Sequence, residues 1–421
     1  MHSARVVSGL VVVLFVAGCG SSSGGTAAAS ATGAGGTAAG TGGAATGGAG
    51  GASAGGASAG GASAGGASGG SAGASLGGAA GSGGGTPTFA DPYTVLAFDS
   101  VRISSNGADP NFQHAVAALD VHDAPFASAT LVIDLASTCY PFDNWKTDKP
   151  PAGQNWPADC DAFDRNFEFT LDEPKDAMSG PPAIELVRAI TPFGGPLHLE
   201  IDVTDVWNGL PGKHTLTVRI PTYSDGAGKV SGSNGGWNVT AKIDVVPGAA
   251  PRKVLAVTPL LNFSHTKDTV QADVPFTIPP GTTDARIEYR VTGHGGGLAP
   301  GNKLYPGCIG PAEEFCKRTH HLFLDGAEGA TMQPWRTDCD QLCTIMHSPM
   351  FANYCGENPC GAIQSVKAPR ANWCPGSLTP PIVFQPTSIA TPGMHTFHHV
   401  IDGVADGGQW RVSALLIATA Q

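Results

Sequence analysis

From Gly20 to about Thr86 the chain is built almost entirely of glycine, alanine, serine and threonine, and between Gly50 and Gly70 it repeats Gly-Gly-Ala-Ser-Ala with a five-residue period. With Leu76 its one large side chain, such a stretch has almost nothing to bury and cannot offset the entropy lost on ordering. Residues 20–87 therefore read as a disordered linker. As a Gly-rich coil it would reach roughly 45 Å root-mean-square. Any fold is confined to the remainder, about 335 of the 421 residues, which is enough for two cores of ordinary domain size.

Ahead of the linker, Arg5 precedes an apolar run from Val6 to Val16, followed by Val16-Ala17-Gly18-Cys19. The run has the length of a signal-peptide core and is too short to span a bilayer, which needs about 20 apolar residues. Small residues before a cysteine resemble a bacterial lipobox, so Cys19 is expected to become a lipidated N-terminus. The chain then reads as an exported lipoprotein tethered to a membrane and facing the periplasm or the cell exterior. The net charge is −11 and no basic cluster occurs, which speaks against nucleic-acid binding. Ten cysteines, nine of them after Cys19, suit an exported chain that forms disulfides, and the odd number leaves one thiol over.

The rest of the chain is punctuated by short runs with β-branched or alternating character. Examples are TVLAFDSVRI (94–103), SATLVIDLAS (128–137), HTLTVRIPTY (214–223), WNVTAKIDVV (237–246), ARIEYRVTG (285–293) and QWRVSALLIAT (409–419). Glycine, proline, asparagine and aspartate fill the intervals, and no long stretch carries a helical period. The expected class is all-β, as sandwiches or jelly rolls. VVPGAAPRKV (245–254) marks the internal boundary, giving domains at 88–247 and 252–421. The first holds Cys139 and Cys160, its natural disulfide pair, and the second holds the other seven cysteines.

Three loops carry chemistry-bearing residues. CDAFDR (160–165) sets Asp161 and Asp164 between a cysteine and an arginine, which alone is an acidic turn or a catalytic loop. GCIGPAEEFCKRTHHLFLDG (307–326) offers Cys308 and Cys316 as a loop closure around Glu313 and Glu314. APRANWCPGS (368–377) adds Arg370, Trp373 and Cys374. Loops braced between strands are where such folds place binding residues.

These stretches, with ITPF and LEIDVTDVW within 190–207, occur in the order seen in bacterial peptide:N-glycosidase F. CDAFDR resembles that family's Cys-Asp-x-Trp-Asp-Arg loop, EEFCKRTH its Glu-Trp-Cys-x-Arg-Thr-His loop, and RANWCPG its Arg-x-x-Trp-Cys-Pro-Gly loop. The resemblance covers most of 94–421. It implies two adjacent eight-stranded antiparallel jelly rolls with a site in the cleft between them. It also implies hydrolysis of the amide joining an N-linked glycan to asparagine, on glycoproteins or glycopeptides, without a cofactor or metal and as a monomer. Carried over, the resemblance makes Asp164 the principal catalytic acid and Glu314 its partner, with Asp161 structural. Arg165, Arg370, Trp373, Tyr223 and His294 become substrate-binding residues.

The chain departs from the family pattern at several points. Pro221 stands where a third family acid belongs and Tyr223 where a tryptophan would be, with Asp225 two residues on as a candidate replacement. Phe163 replaces the tryptophan before the catalytic aspartate. TGHGGG (292–297) keeps Gly293 and His294 but lacks a sugar-stacking tryptophan, and insertions fall at 143–158 and 331–360. A glycan-binding protein without turnover is thus a second reading. A third, copper-dependent monooxygenation on the same architecture, would draw on His395, His398, His399, His320, His321 or His347 with Met346 and Met350. Strand alternation turns His395 and His399 one way and His398 the other. Cys339, Cys343, Cys355 and Cys360 lack paired Cys-x-x-Cys knuckles and suit disulfides better than zinc.

Overall fold

The computed structural model describes residues 89–421 apart from 144–146, 148, 150–155, 176–179, 223–234 and 348–352. The export segment with Cys19, the linker, Tyr223 and Asp225 lie outside the described residues.

Tyr93–Ser104, Gly236–Pro247, Phe126–Ser137 and Leu197–Asp202 form one sheet in that order. The sheet packed on it contains Ile184–Ile190, Asn166–Leu171, Gly212–Arg219 and His114–Val121. After the Pro-Gly-Ala-Ala-Pro bridge the arrangement recurs. Val274–Ile278, Gly393–Ile401, His320–Leu324 and Ala327–Met332 make one sheet, and Ile382–Phe384, Asp284–Gly295, Gly408–Ala420 and Lys253–Thr266 the other. Every ladder between these strands is antiparallel. Four strands facing four in each half make a double jelly roll. The division is not clean, because Ser377–Leu378 leaves the second half and adds an edge strand beside Ile184–Ile190.

Strand chemistry decides which faces are buried. Gly236–Pro247 alternates buried and half-buried positions nearly residue by residue, as a strand with one core face should. Its Trp237 packs with Phe98, Phe126, Phe167, Phe169 and Trp207 in the first core. Tyr289, Phe397 and Trp410 sit in the second. Ile184–Ile190 behaves differently, with every residue buried, because its outer face meets the second half.

Two charged residues lie in that buried strand. Arg188 donates from Nε and Nη2 to Glu185 at 2.8 and 2.6 Å, and from Nη1 to the carbonyls of Arg290 and Arg411 across the seam. Arg411 answers from the other side, donating to Glu168 at 3.1 and 2.9 Å and to Asn262 at 3.1 Å. Each half thus extends an arginine into the other. Burial pushes the Glu168 carboxyl up, but Arg411 and Arg188 outweigh it and hold the group at about 2. Such buried pairs add little net stability against apolar packing, yet they admit one alignment of the surfaces.

Disulfides join Cys139 to Cys160, Cys308 to Cys316, Cys339 to Cys374 and Cys343 to Cys355. Cys360 packs in a small cluster with Cys139, Cys160, Trp156 and Ala162. Among the described residues no helix is long and apolar enough to cross a membrane.

Candidate functional site

The CDAFDR loop is held from both sides. Cys160 is fixed by its disulfide and bridges Gly236. Gly235 allows that approach, since a Cβ there would lie 2.5 Å from the Asp161 nitrogen. Thr191, the threonine of ITPF, accepts from the Arg165 nitrogen at 2.9 Å and donates to the Phe163 carbonyl at 3.1 Å. Its own nitrogen donates to the Arg165 carbonyl at 2.8 Å. This clamp gives a physical reason for the two motifs to occur together.

Within the loop the aspartates separate. Asp161 is fully buried and accepts from Arg165 Nε at 3.3 and 3.1 Å and from Nη2 at 3.2 Å. Asp164 keeps 20% of its side chain exposed and has Arg370 Nη2 at 3.8 Å. The turn at Glu313–Phe315 divides its acids in the same way. Glu313 is fully buried and accepts from Arg318, from the Ala405 nitrogen and from Trp410 Nε1. Glu314 keeps 26% exposed and pairs with Arg370 Nη1 at 3.1 Å. In each loop one acid is committed to an arginine shortly downstream, and the other faces the cleft.

Arg370 joins the two outward acids, one from each half of the molecule. It is 1% exposed, and its guanidinium lies 4.4 Å from the Trp373 ring centroid and 4.9 Å from that of Phe315. Nη2 also donates to the carbonyl and hydroxyl of Ser365. The RANWCPG loop is zipped onto Asp284–Gly295: the Gly293 nitrogen donates to the Ala371 carbonyl, and Trp373 Nε1 donates to the Gly293 carbonyl at 2.9 Å. The Ala371 nitrogen donates to the Glu314 carbonyl at 2.7 Å, tying the two loops directly.

The outward acids, with Arg165, Asn166, Pro221 and His294, surround a cavity of about 160 Å³. Burial pushes the Asp164 carboxyl above the ordinary range against the pull of Arg370 and Arg165. Burial raises Glu314 too; Arg370 opposes this and Asp164 adds to it. His294 Nε2 lies 2.8 Å from Thr292 Oγ1 and its ring stacks on Trp373. Burial, then Arg188, lowers its pKa to about 3, so it is neutral. A larger cavity of about 440 Å³ lies elsewhere on the seam, but its charged walls are already matched, Glu168 with Arg411 and Glu173 with Arg219. The smaller cavity holds the acids with raised carboxyls, and chemistry rather than volume selects it.

The structure therefore brings together Asp164, Glu314, Arg165, Arg370, Trp373 and His294. Arg370 is sealed between the Phe315 and Trp373 rings and bridges the acids from behind the cavity wall, while Trp373, although buried, lines the cavity and also supports Arg370 and His294. The sequence motifs did not single out Asn166, Thr191 or the commitment of Glu313. The last has a legible signal, Arg318 a few residues downstream of Glu313, as Arg165 follows Asp161.

The fold and site define a double-jelly-roll protein with an arginine-bridged acid pair across its seam. Residues 262–417 match the family described as peptide-N-glycosidase F, C terminal. PNGF-II is similar at TM-score 0.56 and 18% identity, covering 78% of this chain and 66% of its own, so the chain spans about two thirds of that protein. PNGase F of Flavobacterium meningosepticum, described as a glycosylasparaginase, is similar at TM-score 0.55 and 19% identity, covering 79% of this chain and 96% of its own. A crystal structure of a peptide-N(4)-(N-acetyl-β-D-glucosaminyl) asparagine amidase is equally similar, at TM-score 0.55, 19% identity, and 78% and 96% coverage. These likenesses establish the fold. No curated protein sequence matches the chain.

Proposed function

We propose that this chain is an amidase that hydrolyses the bond between an N-linked glycan and asparagine in glycoproteins or glycopeptides. The observation that carries the reading is the sharing of one sealed guanidinium, Arg370, by two cavity-facing carboxylates with raised proton affinity. An acid that holds its proton more tightly in this way is a better base once it has lost it.

Asp164 orients and deprotonates water for attack on the amide carbonyl. Arg165, already aimed by Asp161, stabilises the oxyanion that forms. Glu314 positions the water or the first sugar from the opposite wall. The C–N bond then breaks, the nitrogen leaves with the sugar as a glycosylamine, and asparagine becomes aspartate. This is amide cleavage, so the carboxylate-distance rule for glycosidases does not apply. Four disulfides suit an exported chain. On this reading the body, divided at residues 248–251 into two domains, acts as a monomer tethered through Cys19 and the linker.

The test is incubation of the purified chain with a denatured N-glycoprotein, following released glycan and the mass change from asparagine to aspartate. Wild type is expected to release glycan, and Asp164→Asn to lower the rate by about 10²–10⁴-fold. Release that survives Asp164→Asn means the base is another residue. A second reading, a glycan-binding protein without turnover, draws on Pro221, an apolar residue at the cavity where an acid is expected; binding without release would favour it. The copper reading has less support. His395, His321 and His347 are hydrogen-bonded to Asp325, Glu328 and Asn353, and among the described residues no group of three His, Cys, Asp or Glu is arranged to hold a metal.

A further inference from the structure

Asn166 opens the strand Asn166–Leu171 and lines the cavity two residues after Asp164. Its main chain is fixed by pairing with Ile190, so the backbone ladder alone accounts for where its side chain starts. The side chain itself is uncommitted at one end: Oδ1 is buried and accepts no hydrogen bond. Its neighbours are all engaged. Arg165 is held by Asp161, Thr191 by the CDAFDR backbone, His294 by Thr292 and Glu314 by Arg370. A buried carboxamide oxygen without a donor is unfavourable, and such groups are rare in folded proteins. Turning the amide over would bury its NH₂ group in the same place, so either orientation leaves one end of the carboxamide unmatched there.

We propose that Asn166 is a specificity-determining residue that reads the 2-acetamido group of the sugar attached to asparagine, Oδ1 accepting from the acetamido N–H. The inference rests on the amidase reading for the identity of the site. Two residues of chain span at most about 7 Å, so a group recognised by Asn166 lies close to the carbonyl addressed by Asp164. In an asparagine-linked N-acetylglucosamine the acetamido nitrogen occupies the carbon next to the one bearing the scissile amide. It is thus the N–H donor nearest the scissile bond on the sugar side, and it takes no part in bond cleavage.

The test uses two glycopeptides of identical peptide sequence, one carrying N-acetylglucosamine on asparagine and one carrying glucose. Wild type is expected to prefer the acetamido sugar. Asn166→Ala is expected to lower kcat/KM on that substrate about 5- to 30-fold, through KM, as one hydrogen bond lost in ground and transition states alike. The glucose peptide should be cleaved as before, so the preference collapses. An equal loss on both substrates, or none, would overturn the assignment. A binding arm separates this inference from the amidase reading. Calorimetry of di-N-acetylchitobiose binding to the Asp164→Asn protein, with and without Asn166→Ala, needs no turnover. Weaker binding in the double variant supports Asn166 even if wild type releases no glycan, and unchanged or absent binding rejects it.

Discussion

The second core contains a test of how well buried histidines are tolerated. His265, His320 and His399 come from three strands and lie between the sheets, with the His265 and His399 ring centroids 5.2 Å apart. His320 Nδ1 lies 3.1 Å from the Tyr289 hydroxyl, while His320 Nε2, both nitrogens of His399 and His265 Nδ1 have no partner. The surrounding faces are Phe263, Tyr289 and Trp410, and His398 and His321 are the remaining titratable neighbours. Burial lowers all three pKa values, with repulsion from neighbouring rings adding to it for His320 and His399, and His320 falls to about 3.

A histidine whose folded pKa is depressed binds its proton in the unfolded chain first. Stability is therefore complete above the unfolded value near 6.5 and declines as pH falls from there towards the folded value. For His320 the window runs from 6.5 to about 3. At pH 4.5, about two units into it, the ring alone removes about 2.7 kcal/mol, at about 1.4 kcal/mol per unit. The perturbation is His320→Leu. Its cost at neutral pH includes the Tyr289 hydroxyl left without a partner, but its dependence on pH should be shallower than wild type by about 1.4 kcal/mol per unit over roughly pH 5.5 to 4.5. Urea unfolding followed by tryptophan fluorescence at several pH values across this window, at constant ionic strength, reads the difference. His198, His321 and His395, whose partners raise them, and Asp164 and Glu314, raised by burial, have their own dependences, which cancel between variant and wild type. Parallel curves for the two proteins would falsify the account of His320. His399→Leu, which breaks no hydrogen bond, should flatten the curve in the same direction.

Other perturbations reach the seam and the site. Arg370→Gln removes the cation that lowers Asp164 and Glu314, so the acidic limb of kcat/KM should move to higher pH; a limb that stays in place means Arg370 does not set it. Arg188→Met leaves Glu185 buried without its cation and should lower unfolding stability by about 3–5 kcal/mol, whereas replacing both by apolar residues should restore much of it. Converting Cys139 and Cys160 together to alanine opens a loop with a sequence separation of 21 and should lower stability by about 3 kcal/mol in denaturant unfolding; an unchanged midpoint would count against a bracing role.

Strand residues are the most legible part of the chain. The alternation of WNVTAKIDVV translates directly into the burial pattern of Gly236–Pro247, because one face of that strand meets a core and the other does not. Strict alternation would set Glu185 and Arg188 of IELVRAI, three residues apart, on opposite faces; a register irregularity opposite Phe169 and Thr170 brings them together, and both are buried because the other half of the protein covers that side. Pattern along one strand carries no information about a surface that arrives from a distant part of the chain. The site shows the same divide. Asp161 and Glu313 are separable from their neighbouring acids by the arginines that follow them, a local signal. The sealing of Arg370 between Phe315 and Trp373 depends on loops meeting in space, and so does the unmatched oxygen of Asn166.

The edge strand Ser377–Leu378 has a consequence for the order in which the protein is completed. It pairs with Ile190 and Ala189, and the loop leading into it carries Arg370. During synthesis the first half emerges with that sheet margin bare and with Asp164 lacking Arg370. Both gaps close together, once the chain beyond Leu378 has left the ribosome. A chain interrupted before that point would keep most of the first core but have neither the finished sheet nor the bridged acid pair. Completion of the sheet margin and completion of the bridged acid pair thereby depend on one stretch of the second half, residues 370–378.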